Sequence, residues 1–302
     1  MNYLERKQEE RLANKSNGIV THTKKDNNVI RQLKNAALSI RFDLLELCHK
    51  ENIHIGGDLS LADIMTVLWQ YQMNYNPNDI KWEKRDRFVL SKGHASAVTS
   101  YNMAAIGCFS RDDVIREYAT DEGRFSMHSC NLVNPYVEVS TRSLGHGFPV
   151  ASGIAAGLRL KGNYESRVYC VMGDGEQSEG SIWEAVMNAS HYHLGNLIAI
   201  VDNNGLEADG GIDDITGLGN IADKYSSFDW NVREFDGNDI ETIINEFDNL
   251  PPANSGIPTV FIAHTVKGKG VSFMENDVRW HAGKLTDEQY VTAVEQLKAN
   301  YL

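Results

Sequence analysis

Two apolar runs on either side of one amphipathic segment constrain the fold of this chain more than any other feature of the sequence. Val168–Met172 and Leu197–Val201 contain β-branched residues and lie next to glycine, which predicts two buried strands. The segment between them carries apolar side chains at helical spacing, so it is expected to be a helix with one buried face. Strands joined through such a helix are parallel, and the crossover is right-handed. The sequence therefore predicts an α/β sheet.

The ends of this crossover helix are also marked in the sequence. Ser181-Ile-Trp-Glu184 has the spacing of a capping box, which predicts that the helix begins there. Gly195 is expected to stop it. The side chains predicted for its buried face are Trp183, Val186, Met187 and Leu194.

Polar turns follow both predicted strands. A Gly-Asp-Gly turn follows the first and an Asp-Asn-Asn-Gly turn the second, which places Asp174 and Asn204 one full step apart (204 − 174 = 30 residues). Both positions lie just beyond strand carboxyl ends, where α/β sheets bind ligands. A carboxylate and an amide oxygen suit Mg²⁺ that carries a diphosphate, and Gly173 and Gly175 allow the backbone to approach the anion. Either turn alone is common, but the pair at this spacing predicts a metal-diphosphate site.

The composition excludes several classes of function. A net charge of −12 disfavours binding to a nucleic-acid backbone, which needs clustered Lys and Arg. The four cysteines form no CxxC pair, so neither a disulfide framework nor a zinc site is expected, and a cytoplasmic location is the default. No apolar run approaches the roughly 18–20 residues that span a bilayer, so we expect neither a membrane segment nor a signal peptide.

The chain is expected to form one main domain behind a polar arm. Residues 1–28 are charged and show little apolar periodicity, and we assign them no chemistry. From residue 29 to residue 302, helical and strand patterns alternate without a break in composition, which favours a mostly parallel sheet covered by helices on both faces. The other predicted elements are helices at Val29–Lys50, Ser60–Met73, Ala95–Ile106, Val150–Leu160, Asp239–Phe247 and Thr286–Lys298, and strands at Arg87–Leu90, Val232–Phe235 and Thr259–His264.

Four histidines lie in turns or loops from which they could reach a ligand. His94 ends a Ser-Lys-Gly-His turn after the predicted strand Arg87–Leu90, so it also follows a strand carboxyl end. His54 lies in a glycine-rich break between two predicted helices, and His128 and His281 lie in loops. Neutral imidazoles suit recognition of sugar hydroxyls and proton transfer near pH 7. The sequence leaves open whether the four side chains converge.

Four motifs together resemble the N-terminal half of transketolases. In chain order they are LSKGHAS, RSLGHGFPVASGIAAG, the GDGEQSEGSIWEA segment with GNLIAIVDNNG, and HTVKGKGVSFMENDVRWHAG. The similarity runs from about Leu33 to Tyr290 and so covers most of the chain. It implies the diphosphate-binding domain of this family, thiamine diphosphate as the cofactor, and transfer of a two-carbon ketol unit from a ketose phosphate to an aldose.

The resemblance also implies roles for single residues toward the cofactor. Asp174 and Asn204 match the side-chain ligands of Mg²⁺, for which Ca²⁺ or Mn²⁺ can substitute, and Leu206 matches a backbone carbonyl ligand. Gly175 matches a contact to the diphosphate, with His94 and His281 close to it. The other matched cofactor positions are Leu144, in a loop against the cofactor rings, and Glu179 and Glu184, an acidic pair at the dimer interface that is associated with communication between two cofactors.

On the substrate side, His54 and His281 resemble family histidines that face the hydroxyl and carbonyl groups of the sugar. His128 resembles the one that meets the donor ketose near C1. Two of these motifs depart from the family, which usually shows HPG where this chain has His-Ile-Gly and GHP where it has Met-His-Ser. A third departure is Arg142, where the family commonly has glycine, and a large cation there could alter donor specificity or bind an anionic substrate group.

A second domain carries part of the site in this family. The glutamate that activates the aminopyrimidine and the arginines that bind the sugar phosphate belong to a pyrimidine-binding domain, for which the chain leaves no room after the His281 motif. Half a site should be inactive, because the protein must orient and protonate the cofactor. The resemblance therefore implies the N-terminal subunit of a two-subunit transketolase, in an α2β2 assembly with a pyrimidine-domain partner.

Other functions stay open at this point. The α subunit of a 2-oxo-acid dehydrogenase also carries the Gly-Asp-Gly and Asn-Asn turns, but it lacks the Ser-Lys-Gly-His and His-Ala-Gly elements. A noncatalytic thiamine-diphosphate-binding protein, acting as a sensor or scaffold, is a less favoured alternative. Within the transketolase interpretation, a subunit specialised for a branched or sulfonated ketose is an alternative to one that uses ordinary pentose phosphates.

Overall fold

A five-stranded parallel sheet forms the centre of the computed structural model, which describes residues 27–301. The strand order is β1-β2-β3-β5-β4, and every neighbouring pair is parallel. The strands are β1 (Arg87–Leu90), β2 (Val168–Gly173), β3 (Leu197–Asn203), β4 (Asn231–Asp236) and β5 (Thr259–His264). The predicted fold class is confirmed, and all five strands were predicted to within two residues at either end.

Helices cover both faces of the sheet. They are α1 (Asn27–Lys50), α2 (Ile55–Val67), α3 (Ser96–Ala105), α4 (Arg111–Glu117), α5 (Gly147–Leu160), α6 (Gly180–His191), α7 (Ile212–Ile215), α8 (Ile221–Ser226), α9 (Ile240–Asp248) and α10 (Asp287–Tyr301). Successive strand side chains point to opposite faces, so Tyr169 and Val171 enter one core with α1, α2, α3 and α9. Cys170 and Met172 enter the other core with α5, α6 and α8. The sheet is therefore buried on both sides, as parallel sheets are.

Helix α2 differs from its prediction at both ends. It begins at Ile55, five residues before the predicted start at Ser60, and its last turn continues as a π-helical turn, Leu68–Gln72. All thirteen of its residues are buried, so no polar face marks its limits in the sequence. The glycines that suggest a break in the sequence lie instead in its first turn, where they allow close packing, because a Cβ on Gly56 would stand 2.6 Å from the carbonyl oxygen of Trp280.

The crossover helix α6 corrects a second prediction. It begins at Gly180 with Glu179 as its N-cap, so Ser181 lies inside the helix and no capping box forms. The Ser181 hydroxyl instead donates to the carbonyl of Gly145 at 2.7 Å. The buried face consists of Ile182, Ala185, Val186 and Ala189.

The predicted buried face and end of α6 were therefore partly wrong. Met187 is 48% exposed, Trp183 is only partly buried, and Leu194 is buried in the loop after the helix. The helix ends at His191, before Gly195. Gly195 serves the loop, where a Cβ would stand 2.7 Å from the backbone nitrogen of Gly256.

The predicted N-terminal arm falls almost entirely outside the described residues. Only its last two positions are described, and these begin α1 two residues before the predicted start at Val29. Within residues 27–301 no helix is long and apolar enough to cross a membrane.

Candidate functional site

A cavity of about 280 Å³ opens where β1, β2 and β3 end. The carboxyl ends of these strands lie side by side, since Leu90 is paired with Val171 and Gly173 with Asp202. The turn after each strand supplies part of the wall, and the segment after β5 closes it. The lining residues are His54, Gly57, Lys92, His94, His128, Arg142, Leu144, Gly173, Asp174, Gly175, Glu176, Asn204, Leu206, Glu207, Ala208, Lys267 and His281.

Ten of the twelve predicted site residues line this cavity. Glu179 and Glu184 do not, because both are exposed at the start of α6. The structure thus brings together residues from positions 54 to 281 that are scattered in the sequence. The ten are His54, His94, His128, Leu144, Gly173, Asp174, Gly175, Asn204, Leu206 and His281.

The four histidines form one cluster around His54, which lies just before α2. Its ring centroid is 5.2 Å from that of His94, 5.5 Å from that of His128 and 5.5 Å from that of His281. The Nδ1 atom of His54 is buried without a hydrogen-bond partner among the described residues. A polar atom in that position is available to a ligand, because buried polar groups otherwise find partners within the protein.

These imidazoles are neutral at physiological pH. Burial, reinforced by His128, Lys92 and Lys267, lowers the pKa of His54 to about 4. Burial, followed by Lys267, lowers the pKa of His281 to about 3. The pKa of His94 is also well below its usual value, and that of His128 is lowered by burial and by Arg142. Neutral imidazoles can both accept and donate hydrogen bonds, as recognition of hydroxyl and carbonyl groups requires.

Asp174 links the ends of β2 and β3. Its Oδ1 accepts from the backbone nitrogen of Gly175 at 2.8 Å, and its Oδ2 accepts from that of Gly205 at 2.6 Å. Asn204 is oriented by two further bonds: its Nδ2 donates to Asp202 at 3.3 Å, and its Oδ1 accepts from the backbone nitrogen of Leu206 at 3.2 Å. The predicted oxygen ligands therefore lie on one wall in defined orientations.

Lys267 is a functional candidate that the sequence prediction missed. Its side chain is buried, and its Nζ donates to the carbonyls of Leu206 at 3.1 Å and Glu207 at 2.9 Å and lies 3.1 Å from Nδ1 of His281. Burial, followed by the charge of Lys92, lowers its pKa to about 8. The signal that could have found it is the motif HTVKGKG, which belongs to the family resemblance and contains this lysine.

Lys92 and Asp202 were missed as well. The Lys92 ammonium lies 2.7 Å from Oδ2 of Asp202, and both side chains are almost fully buried. Ser60 and Thr265 also donate hydroxyl hydrogen bonds to this carboxylate. Lys92 belongs to the Ser-Lys-Gly-His turn and Asp202 to the Asp-Asn-Asn-Gly turn. In these two turns the predicted site residues were the neighbouring His94 and Asn204.

The donor set fits a hard cation that shares its ligands with a phosphate. Among residues 27–301 no group of three or more His, Cys, Asp or Glu side chains could hold a metal ion by itself. Magnesium, however, uses few protein ligands and completes its octahedron with phosphate oxygens and water. Asp174, Asn204 and the Leu206 carbonyl meet that requirement. A further acidic oxygen, Oε1 of Glu207, is buried on the same wall without a hydrogen-bond partner in the described chain.

The chain is similar to known proteins over most of its length. Residues 32–301 match the family model described as transketolase, thiamine diphosphate binding domain. One relative, named as a subunit of the apulose-4-phosphate transketolase of Phocaeicola vulgatus, is 40% identical over 84% of this chain and 89% of its own length. A 6-deoxy-6-sulfo-D-fructose transketolase subunit from a Clostridium species is 33% identical over 81% of this chain and 88% of its own length.

Solved transketolase structures share the fold over most of this chain. The enzyme from Campylobacter jejuni matches 91% of the chain with a TM-score of 0.79 and 27% identity. The transketolase from Leishmania mexicana matches 89% of it with the same TM-score, 0.79, and 27% identity. This chain spans only 43% and 41% of those two proteins.

Proposed function

The chain belongs to the transketolase family, and we propose that it is the thiamine-diphosphate-binding subunit of a two-subunit transketolase. It would take part in the transfer of a two-carbon ketol unit from a ketose phosphate to an aldose. The observation that carries this proposal is the convergence of four neutral histidines with Asp174 and Asn204 in one cavity at the strand ends. When bound, thiamine diphosphate supplies the nucleophilic carbon and the electron sink that ketol transfer needs.

Mg²⁺ would be held by the side chains of Asp174 and Asn204 and by the carbonyl of Leu206, and Ca²⁺ or Mn²⁺ could take its place. The backbone at Gly173 and Gly175 can approach the diphosphate closely, because neither residue has a side chain to stand between the backbone and the ligand. Lys267 adds a positive charge beside this wall. Leu144 would pack against the cofactor rings from the opposite loop.

The histidines would bind and polarise the sugar. His54 has an unpartnered Nδ1 and lies centrally, so it can reach a hydroxyl or carbonyl oxygen of the substrate. His281 contacts Lys267 through Nδ1, which leaves Nε2 for the substrate or the diphosphate. His94 and His128 complete the cluster on either side. As neutral groups they can take up a proton at one nitrogen and deliver one from the other.

A second polypeptide would complete the site. Two relatives of comparable length, from Phocaeicola vulgatus and Actinobacillus succinogenes, are each named as one subunit of a transketolase, and this chain covers 89% and 87% of their lengths. We propose that the partner is a pyrimidine-domain subunit and that the assembly is α2β2, the simplest closed arrangement with twofold symmetry. The exposed carboxylates of Glu179 and Glu184 would then lie at the interface between copies. All four cysteines are free thiols, which suits a cytoplasmic location.

A donor other than an ordinary pentose phosphate is a second candidate within the same function. It is favoured by Arg142, which lines the cavity, and by relatives named for apulose 4-phosphate and for a sulfonated fructose. Among the described residues the Arg142 guanidinium has no hydrogen bond or ion pair, so it is free to meet an anionic group.

The proposal is tested by a coupled ketol-transfer assay with the purified chain, thiamine diphosphate and Mg²⁺, run with and without the pyrimidine-domain subunit. We expect activity only in the mixture, together with an α2β2 mass by mass photometry. Robust activity from this chain alone would refute the two-subunit proposal. Cofactor binding without transfer in the mixture would indicate a noncatalytic binding protein, and turnover of 2-oxo acids with a lipoyl acceptor would indicate the dehydrogenase alternative.

A further inference from the structure

Glu176 is a buried carboxylate at the centre of three segments that form the cavity. It follows the Gly-Asp-Gly turn of β2 and is only 1% exposed. Its Oε2 accepts from the backbone nitrogen of Gly173 at 3.2 Å, and its Oε1 accepts from the backbone nitrogen of Gly145 at 2.9 Å and from the Ser91 hydroxyl. One side chain thus joins the end of β2, the turn after β1 and the loop before α5.

An ionised carboxylate satisfies all three of these neighbours. All three groups around the two oxygens are donors, because the Ser91 oxygen itself accepts from the backbone nitrogen of Phe148 at 3.1 Å and so points its hydrogen at Glu176. A glutamine at this position would turn its NH₂ group toward one of the donors. Burial raises the pKa of Glu176, while Ser91 and the backbone N–H groups oppose that effect by favouring the ionised form.

The Ser91 hydroxyl, which donates to Glu176, takes the place of a side-chain cap at the start of α5. Helix α5 begins after His146, and no side chain of its N-cap residue accepts from the first turn. Gly145 and Phe148 flank that helix start, and their N–H groups end on Glu176 directly or through Ser91. A negative charge at a helix N-terminus is favoured by the helix dipole.

The loop that Glu176 holds is pressed tightly against its neighbours. A Cβ at Gly147 would stand 2.6 Å from Cα of Ser91, and one at Gly93 would stand 2.3 Å from the carbonyl oxygen of Thr141. Gly145 has a φ of +78°, which side chains other than glycine rarely adopt. The path of the loop from Thr141 to Gly147 is therefore fixed by close contacts with the turn that follows β1.

We propose that Glu176 is a positioning residue that sets the loop from Thr141 to Gly147 against the cavity. This loop carries Leu144 and Arg142 to the lining of the cavity. Glu176 also fixes Ser91, the first residue of the Ser-Lys-Gly-His turn that ends at His94. Its carboxylate contacts the turn after β1, the loop before α5 and the end of β2, and so orients the residues that meet the ligand.

Limited proteolysis of the full chain tests this without reference to activity. Arg142 is exposed in the loop, and trypsin can cut after it only when the loop leaves its docked position. In Glu176→Gln, cleavage between Arg142 and Ser143 should be about tenfold faster, since at least one buried charge-assisted hydrogen bond is lost. Cleavage after Lys161, at the other end of α5, should be unchanged.

A matched control separates loop positioning from general stability. Asp86 is another buried carboxylate that accepts two backbone N–H groups, from Asn74 at 2.8 Å and Arg167 at 2.7 Å, but it lies at the opposite end of β1. Asp86→Asn should destabilise the chain without selective cleavage at Arg142. Equal acceleration at all sites in the Glu176 variant, or none at Arg142, would overturn the proposal.

A milder variant covers the case in which Glu176→Gln does not fold. Ser91→Ala keeps the carboxylate but removes the hydroxyl that links it to α5, so it should raise cleavage at Arg142 in the same direction, by about threefold. A Ser91→Ala chain with wild-type cleavage at Arg142 would contradict the proposal.

The second arm of the test rests on the proposed function. In the assembly with the pyrimidine-domain subunit, the folded variant should bind thiamine diphosphate about tenfold more weakly by calorimetry, and Asp86→Asn should bind it as the wild type does. Unchanged cofactor affinity together with selective cleavage at Arg142 would refute the effect on the cofactor site. Absence of binding by the wild-type assembly would instead refute the proposed function.

Discussion

Replacing Lys92 with methionine should lower the free energy of unfolding by about 3 kcal/mol, and replacing Asp202 with asparagine as well should add almost nothing to that loss. The two side chains lie 2.7 Å apart and are 3% and 0% exposed. Removing one partner of such a pair leaves an uncompensated charge in the interior, which costs roughly 3–5 kcal/mol.

The other contacts of Asp202 place the expected loss at the lower end of that range. Its carboxylate keeps the hydroxyls of Ser60 and Thr265 when the ammonium is gone, so part of the charge stays hydrogen-bonded. In the double variant the asparagine carbonyl can still accept from these hydroxyls, and no charge remains unpaired. Asp202→Asn alone should cost about as much as Lys92→Met, because it leaves the Lys92 ammonium buried without its partner. The coupling between the two substitutions should therefore approach about 3 kcal/mol.

Urea unfolding of the wild type, both single variants and the double variant, followed by tryptophan fluorescence and circular dichroism, gives the four free energies. Arg233 and Glu246 supply a control, since they form a 2.6 Å ion pair that is 32% and 18% exposed. Arg233→Met should cost less than about 1 kcal/mol. A double variant of the Lys92 pair that loses the sum of the two single losses would show that the charges do not stabilise each other.

Three further outcomes are expected. Asp174→Ala should abolish Mg²⁺-dependent binding of thiamine diphosphate by the assembled enzyme. Asp213→Ala, which removes an exposed acid, should leave this binding intact. If calorimetry shows unchanged cofactor affinity in Asp174→Ala, Asp174 is not a metal ligand. His281→Asn should reduce turnover far more than stability, and its stability should fall less steeply than that of the wild type between about pH 6.5 and pH 5. The pKa of His281 in the folded chain is about 3, so between about pH 6.5 and pH 5 the unfolded chain binds a proton that the folded chain does not. Acid therefore destabilises the wild type at this site by up to about 1.4 kcal/mol per pH unit. Equal slopes in urea titrations of the two proteins would contradict this. Arg142→Gly should lower kcat/KM about tenfold for phosphorylated or sulfonated ketose donors and leave uncharged ketoses unaffected, with Arg142→Lys intermediate; equal losses for all donors would count against an anion contact.

The strands, and the cavity wall that carries Asp174 and Asn204, could be predicted because their sequence signals are local. A buried strand, a polar turn and a helix follow one another within 38 residues from Val168 to Gly205, and chain connectivity alone places Asp174 beside Asn204. The structure agrees, since Asp174 bonds to the backbone of Gly205 across the two turns. No tertiary information was needed for this part of the site.

Helix limits were harder where burial or tertiary contact overrides the local pattern. Helix α2 has no polar face, so the periodicity that marks a surface helix is absent. Ser181 has the right spacing for a cap, but the neighbouring loop uses its hydroxyl. Helix α4 was not predicted although Ser110 and Asp113 form a true capping box at its start, because its seven residues bury only Val114 and carry little apolar signal.

The cavity residues that were not predicted from the sequence were missed for another physical reason. Lys92, Glu176 and Lys267 act through partners 31 to 110 positions away in the chain, and their charges are matched only once the strands are side by side. A sequence shows each of them as an ordinary polar residue near a glycine. Their burial distinguishes them, because a charged side chain is seldom fully buried without a partner.

The two buried lysines also affect the pKa values of the histidines in the cavity. Burial, together with the charges of Lys92 and Lys267, lowers the pKa of His54 to about 4 and that of His281 to about 3. A diphosphate beside these cations would place negative charge near the imidazoles and favour their protonated forms. The pKa values of these two histidines would then rise, which would make it easier for them to take up a proton.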